Sequence, residues 1–372
     1  MIQSLQQSRV YQHILKIGDF FPVLFFFGGF LWDALTIGRH VATSDLVTFM
    51  AYLLLAGLIL FVIGRPSYVL ADTSNPANWL PAFLHATYQR LHRRLHYPHL
   101  PYFLLQFIYG NLLSSLFILY FKSANHWLAW VMSLLMAALL VANEFIESEY
   151  RRFTLSWAVF GLCAMLVLNF VLPCVLGSIH AAWFYLSTFL GALAAHFLYK
   201  KTPNHFGSIL PVWVIAGLLM FAYSADMIPP VPLVKREIAM AYDVQKVGAN
   251  YQLSQQASSW WVFWRKSSDD LQVSPGQRVY CFSSIFAPAG LTTKLFHNWQ
   301  LHTKKGWVTQ SRAGFALNGG RYGGFRGYTF KSNIAAGDWR VSLETEDGKT
   351  LAIHAFTVEM AQMPTAKIVQ NY

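Results

Sequence analysis

Apolar residues dominate the chain in long runs up to about Ile228, and beyond it they alternate with polar residues over short stretches separated by Gly, Asp and Lys. A helix that crosses a bilayer needs roughly 20 mostly apolar residues. Seven runs meet that requirement: about 20–38, 45–64, 101–121, 126–143, 154–175, 179–199 and 208–227. Two of them, "LVTFMAYLLLAGLILFVIG" and "WLAWVMSLLMAALLVA", carry no charge, whereas Pro22 and Asp33 interrupt the first. The polar start, Met1 to Asp19, contains Arg9 and Lys16 and lacks a small-residue cleavage site behind it, so it reads as a retained anchor.

After "IPPVPL" (Ile228–Leu233), a stiff polyproline-like link, strand-like segments follow at short intervals. They are "SWWVFW" (Ser259–Trp264), "RVYCFSSI" after the Ser274–Gly276 turn, "KLFHNWQLH" (Lys294–His302) and "GWVTQSR" (Gly306–Arg312). "DWRVSLE" and "LAIHAFTVE" flank "TEDGK", whose Asp347-Gly348 signals a hairpin. The expected fold is therefore a membrane all-α bundle of seven transmembrane helices followed by a soluble all-β sandwich, Ig-like in its strand spacing. The expected divisions are residues 1–228 for the bundle, 229–234 for the Pro-rich linker and 235–372 for the sandwich.

Composition and charge add an orientation. Only 12% of residues are charged and 55% are hydrophobic, well away from a soluble average of about 25% charged. With seven crossings the termini lie on opposite faces. The connections on the N-terminal side carry ten Lys and Arg, among them Arg90, Arg93, Arg94, Arg151, Arg152, Lys200 and Lys201. The other side carries two, Arg39 and Lys122. The positive-inside rule makes the N-terminus cytoplasmic and the C-terminal domain periplasmic, in a multi-pass protein of a bacterial inner membrane. From Lys235 onward sixteen Lys and Arg stand against nine Asp and Glu, a net of +7 that favours anionic surfaces. Cys163, Cys174 and Cys281 have no C-x-x-C spacing.

"PPVPL" after the last apolar run, "HNW" at 297–299, "GGR" with "GFRGY" at 319–328 and "GDWRV" at 337–341 occur in this order. Together they resemble bacterial multi-span membrane proteins carrying a C-terminal domain of unknown function 2914, an uncharacterised family. The likeness runs from about Pro229 to Glu359, and "NEFIESEYRR" resembles the membrane region that precedes the domain. It implies an architecture and no established activity.

The candidate chemistry is sparse. The glycines of "LNGGRYGGFRGYTFK" (Leu317–Lys331) do not fit G-x-G-x-x-G, and no G-K-[ST] exists. The stretch is single and short, unlike Arg/Gly tracts that bind nucleic acid. It reads as a glycine-built connection that either stacks Arg321 and Arg326 on Tyr322, Phe325 or Tyr328, or presents them to a ligand. With Lys304, Lys305 and Lys331 these residues would form one anionic-partner surface if the two loops adjoin. On "KLFHNWQLH", Leu295, His297, Trp299 and Leu301 share one face and Phe296, Asn298, Gln300 and His302 the other, which makes His297 a half-buried histidine of the core. No catalytic arrangement, cofactor fingerprint or metal cluster emerges. His92 and His96 are four apart but sit among arginines, in what reads as a basic amphipathic segment. In the bundle the polar candidates are Glu144, Glu147, Asn169 and His196. The expected role is a binding module for an envelope protein, glycan or anionic lipid, with no nucleic acid. The alternative is a transporter or lipid-handling enzyme with its site among the helices.

Overall fold

The structure is a computed structural model that describes residues 30–31, 33, 35, 43–64, 100–123, 127–145, 153–202, 206–248, 250–258, 267–320, 324–361 and 367–371. Among the described residues six helices of fifteen residues or more come first: α1 (Thr43–Ile63), α2 (Leu100–Ser123), α3 (Trp127–Phe145), α4 (Thr154–Leu176), α5 (Ala181–Lys201) and α6 (Leu210–Ser224). Their directions alternate. At one end Gln106 and Asn143 exchange side-chain to main-chain bonds of 3.0 and 3.2 Å, tying the start of α2 to the end of α3. At the same end Ser208 N–H donates to Thr154 Oγ1 at 2.9 Å, joining the starts of α6 and α4. At the opposite end the Phe121 and Trp130 rings meet edge to face.

Helix α4 runs through the middle, with Trp157, Phe160, Cys163, Val167 and Phe170 buried. Small residues let its neighbours approach closely. A Cβ on Gly191 of α5 would lie 2.6 Å from Met165 N, and one on Gly161 would lie 2.8 Å from Val212 Cγ1.

Among the described residues four helices, α1, α2, α4 and α5, are long and apolar enough to cross a membrane. The sequence predicts seven, and the other three runs are those of α3, α6 and residues 20–38. Pro211 sets the start of α6, and a turn at Ala225–Asp226, with Asp226 at φ +57°, stops it after 15 residues. At 1.5 Å per residue that is about 22 Å, short of a hydrocarbon core of about 30 Å. Helix α3 spans 19 residues, Trp127–Phe145, about 28 Å by the same measure. Most of the first apolar run, 20–38, lies outside the described residues. Those described lie against the middle of α2: Ser114 Oγ donates to Asp33 at 2.8 Å, and the Phe30 ring meets Phe117.

The rest is β structure. A sheet of order β1-β5-β8, made of Val234–Ala241, Val279–Phe286 and Phe325–Lys331, faces a five-stranded sheet of order β4-β10-β9-β6-β7. The latter comprises Asp270–Val273, Thr350–Met360, Gly337–Thr345, Thr292–Thr303 and Gly306–Asn318. Between them lie Met240, Val279, Cys281, Trp299, Trp339, Val341, Phe356 and Val358. A small third sheet, β11-β3-β2 (Lys367–Asn371, Asn250–Gln256, Asp243–Val247), covers part of the outer face of β1 and β5 through Leu253 on Ala239, Ala241 and Phe282. "SWWVFW" lies outside the described residues.

The two halves are packed together. Pro229–Leu233 is buried and forms a turn in which Val231 N–H donates to Pro229 O at 2.9 Å, in place of the extended polyproline-like link its composition predicts. Val231 and Phe286 belong to the helical core, and Ile179, from the α4–α5 connection, belongs to the sandwich core. Ser178 bridges Thr292, whose N–H donates to Gly177 O at 2.9 Å.

Candidate functional site

The glycine-rich stretch is shorter as a connection than its composition predicts. Phe325–Lys331 is strand β8, paired antiparallel with β5. Gly327 sits inside that strand because the Phe315 ring of β7 lies on it, where a Cβ would come 2.5 Å from Phe315 Cδ2. At Gly319 a Cβ would come 1.9 Å from Pro288 O, and the Gly319 N–H donates to Leu291 O at 2.8 Å. Gly320 and Gly324 take φ +94° and +81°, where L side chains are strained. Arg321 and Tyr322 lie outside the described residues.

The other residues proposed from sequence are distributed as follows. Phe325 is half-buried and stacked parallel to Phe315, with Arg326 half-buried beside it. Tyr328 is 42% exposed and meets Tyr251 and Tyr280 on the outer side of the sheet. Lys331 holds its ammonium 5.6 Å from the Trp339 ring centroid. Lys304 and Lys305 are exposed in the β6–β7 turn. The two loops do not adjoin: Thr292 pairs with Asn318 at one end of the β6–β7 hairpin and Thr303 with Gly306 at the other. At about 3.3 Å per residue the ends are roughly 35 Å apart. Lys331 shares the outer end with Lys304 and Lys305, because Trp339 pairs with Leu301. Arg326, paired with Ser284, lies toward the bundle.

His297 is fully buried between the sheets, a stronger burial than the half-buried position its alternation predicts. Its Nε2 is 2.7 Å from Ser283 Oγ and its Nδ1 is 2.9 Å from Thr329 Oγ1. Trp299 Nε1–H donates to the same Thr329 hydroxyl at 3.2 Å. Burial holds the imidazole down at about 3, so it is neutral at physiological pH and serves as a polar rivet between β5, β6 and β8.

In the bundle, Asn169 Oδ1 accepts from Ser187 Oγ and, at 3.4 Å, from Thr188 Oγ1, linking α4 to α5. His196 Nδ1 accepts from Trp213 Nε1–H at 3.1 Å, linking α5 to α6. Glu144 ends α3 with its side chain outside the described set, and Glu147, His92 and His96 also fall outside it. Among the described residues no group of His, Cys, Asp or Glu is placed to hold a metal ion.

Sequence reasoning missed the junction. The β9–β10 hairpin presents an acid and a base to two helix ends. Asp347 Oδ2 accepts the Ala181 N–H at 2.6 Å at the start of α5, and its Oδ1 lies 3.2 Å from His180 Nε2. Two residues on, Lys349 Nζ donates to Tyr223 O and, at 3.3 Å, to Ser224 O, the last carbonyls of α6, and lies 4.7 Å over the Tyr223 ring. Thr350 N–H donates to Asp226 Oδ1 at 3.2 Å. An anion at a helix N-terminus and a cation at a C-terminus both complement the macrodipole. The signal in the sequence was Asp347-Gly348-Lys349, readable as a turn but silent about its partners.

Residues 292–358, spanning β6 to most of β10, match the family described as "Protein of unknown function (DUF2914)". None of the curated proteins compared with the chain matches it. Among solved structures, the chain is similar to an immunoglobulin-like protein from Pseudomonas aeruginosa at 13% identity and a TM-score of 0.21, covering 33% of this chain and 98% of that one. It is similar to a beta-glucosidase from Listeria innocua in complex with gluconolactone at 10% identity and a TM-score of 0.18, covering 33% and 16%. A Pseudomonas fluorescens alkylpurine DNA glycosylase bound to DNA with an abasic site analog matches at 9% identity and a TM-score of 0.19, covering 85% and 97%.

Proposed function

We propose that the chain is a seven-span inner-membrane protein that holds its β sandwich on the periplasmic face as a binding module for an envelope protein, glycan or anionic lipid. The observation that carries this reading is the placement of the sandwich on one end of the helices. It is fixed where α2, α4 and α6 finish, and Lys200 and Lys201 lie at the other end of α5. In sequence, Arg65, Arg90, Arg93, Arg94, Arg151 and Arg152 fall in the connections at that same far end. Such a bias faces the cytoplasm. Although α6 has only 15 residues, it runs from the Thr154 end of the bundle to the Lys349 end and so counts as a crossing, and the run containing Asp33 is the seventh. The polar groups of the bundle favour this reading over transport or lipid chemistry, because Asn169, His196 and the Gln106–Asn143 pair join helices to one another.

The test uses the full chain with Lys304→Cys, treated in intact cells with a maleimide that does not cross membranes, after permeabilisation of the outer membrane. Cys163 and Cys281 are buried, so their background is low, and Cys174→Ser removes the third thiol. Labelling before lysis of the inner membrane is expected. Labelling only after lysis would place the sandwich inside and end the proposal. The purified chain in neutral-lipid nanodiscs is then expected to retain an envelope protein, a glycan or anionic vesicles, and retention of none of them would also end it.

A further inference from the structure

The outer face of the five-stranded sheet carries a feature that neither the core nor the junction uses. Alternation on β6 turns Phe296, Asn298 and Gln300 outward, because Leu295, His297 and Trp299 fill the core. Register sets Arg312 of β7 and Ser342 of β9 on either side of Asn298. The planar groups are braced. The Arg312 guanidinium lies 3.9 Å over the Phe296 ring and 3.6 Å from Glu344, and Asn298 Nδ2–H donates to Glu344 Oε1 at 2.9 Å. Further out, Arg340 donates to Gln300 and lies 4.5 Å over the Trp307 ring. The track thus runs from Phe296 to Trp307, about 20 Å along the strand, with an aromatic ring at each end.

One atom in it is unsatisfied. Asn298 is only 9% exposed, and its Oδ1 is buried without a hydrogen-bond partner. Reversing the amide would not help, because Oδ1 would then face the Glu344 carboxylate. A buried acceptor left without a donor is destabilising, so the site favours a ligand that brings a hydroxyl. Arg312 lies directly across from Asn298 with its side chain 40% exposed, and it also donates to Thr345 O at 3.2 Å, so an anion at its exposed edge lies beside the amide. Charge also points to an anion: Arg312 and Arg340 stand against Glu344 and, on the β10 side, Asp338, which accepts from Thr357 at 3.2 Å, and Lys304 and Lys305 add two exposed cations at the outer end.

We propose that this track binds an acidic polysaccharide, with Asn298 and Arg312 reading hydroxyl and carboxylate groups, Trp307 supporting a sugar face and Lys304–Lys305 attracting the chain. The proposal rests on the binding-module reading and names its ligand. Rows of hydroxyls and carboxylates on a stiff ring match planar amide and guanidinium groups held edge-on, and the apolar face of the ring matches an aromatic side chain. An extended peptide would instead take its main-chain bonds from the unpaired edge of β7 and would leave Asn298 Oδ1 without a donor.

The test is titration of the full chain, in phosphatidylcholine nanodiscs, with a polyuronate oligosaccharide, followed by calorimetry. Matched arms use an uncharged oligosaccharide, polyaspartate and vesicles containing phosphatidylglycerol. The polyuronate is expected to bind at least about tenfold tighter than the uncharged sugar and than polyaspartate. Trp307→Ala, at a ring 37% exposed, and Lys304→Gln with Lys305→Gln are each expected to weaken it about tenfold without changing the unfolding temperature. Arg312→Gln should abolish the preference for the charged sugar. No polyuronate binding at millimolar concentration, equal binding of polyaspartate, or indifference to Trp307→Ala and the lysine pair would overturn the proposal. Binding to the vesicles alone would overturn it while leaving the module reading intact, whereas inward labelling at position 304 would remove that reading itself.

Discussion

The buried His297 predicts how the sandwich responds to acid. In the folded chain, burial holds the imidazole at about 3, and in the unfolded chain it returns to about 6.5. Between those values the unfolded state binds a proton that the folded state does not, so stability is complete above pH 6.5 and falls as the pH drops. The slope approaches about 1.4 kcal/mol per pH unit once the unfolded imidazole is fully protonated, so lowering the pH from 6.5 to 4.5 removes about 2 kcal/mol. That is a large share of the ~5–15 kcal/mol that stabilises a typical domain. Glu344 works in the opposite direction, because desolvation raises its carboxyl above the usual range and its contribution is lost as pH rises. The comparison with His297→Gln isolates the histidine, since Gln keeps a donor and an acceptor for Ser283 and Thr329 but does not titrate. At pH 7.5 the variant should be less stable by about 1–3 kcal/mol from poorer bonding and packing. Its deficit should shrink by about 2 kcal/mol between pH 6.5 and 4.5 as the native protein loses stability. Pulse proteolysis in urea, following the surviving full-length chain and its β fragment, reports both midpoints. Parallel pH dependences for the two proteins would refute the assignment of a neutral buried imidazole.

Three further predictions concern packing. Lys349→Met removes the charged donor from Tyr223 O and Ser224 O, and about 1.5–3 kcal/mol of local stability with it. Hydrogen exchange at Tyr223–Asp226 and across Thr345–Thr350 should rise together, and a rise in only one segment would argue against a shared lock. Gly327→Ala drives a methyl into the Phe315 ring and should cost about 1–3 kcal/mol, read as a lower urea midpoint for the sandwich. Asn169→Leu removes the bonds to Ser187 and Thr188, and should lower bundle stability by about 0.6–1.7 kcal/mol in detergent-driven unfolding without altering protection in the sandwich.

What the sequence discloses depends on how far apart the interacting residues are. The apolar runs behind α1, α2, α4 and α5 are local, so hydropathy finds them, whereas the length of α6 depends on Pro211 and the Asp226 turn, which hydropathy averages over. The two faces of β6 are legible because alternation is also local, and the structure sorts Leu295, His297 and Trp299 from Phe296, Asn298 and Gln300 accordingly. How deeply His297 is buried is not legible, because Ser283 and Thr329, which satisfy it, come from the facing sheet. Gly327 misleads for the same reason: five glycines in fifteen residues read as a loop until Phe315, from another strand, explains why a strand needs one there. The hairpin at Asp347-Gly348 shows the limit most clearly. Its turn follows from two adjacent residues, but its partners are Ala181, 166 residues earlier, and Tyr223, 126 residues before Lys349. A two-residue signal cannot specify which helix ends it will cap. Only the fold brings an acid to the start of one helix and a lysine to the end of another, and this is what turns a sandwich following a bundle into a sandwich fixed upon it.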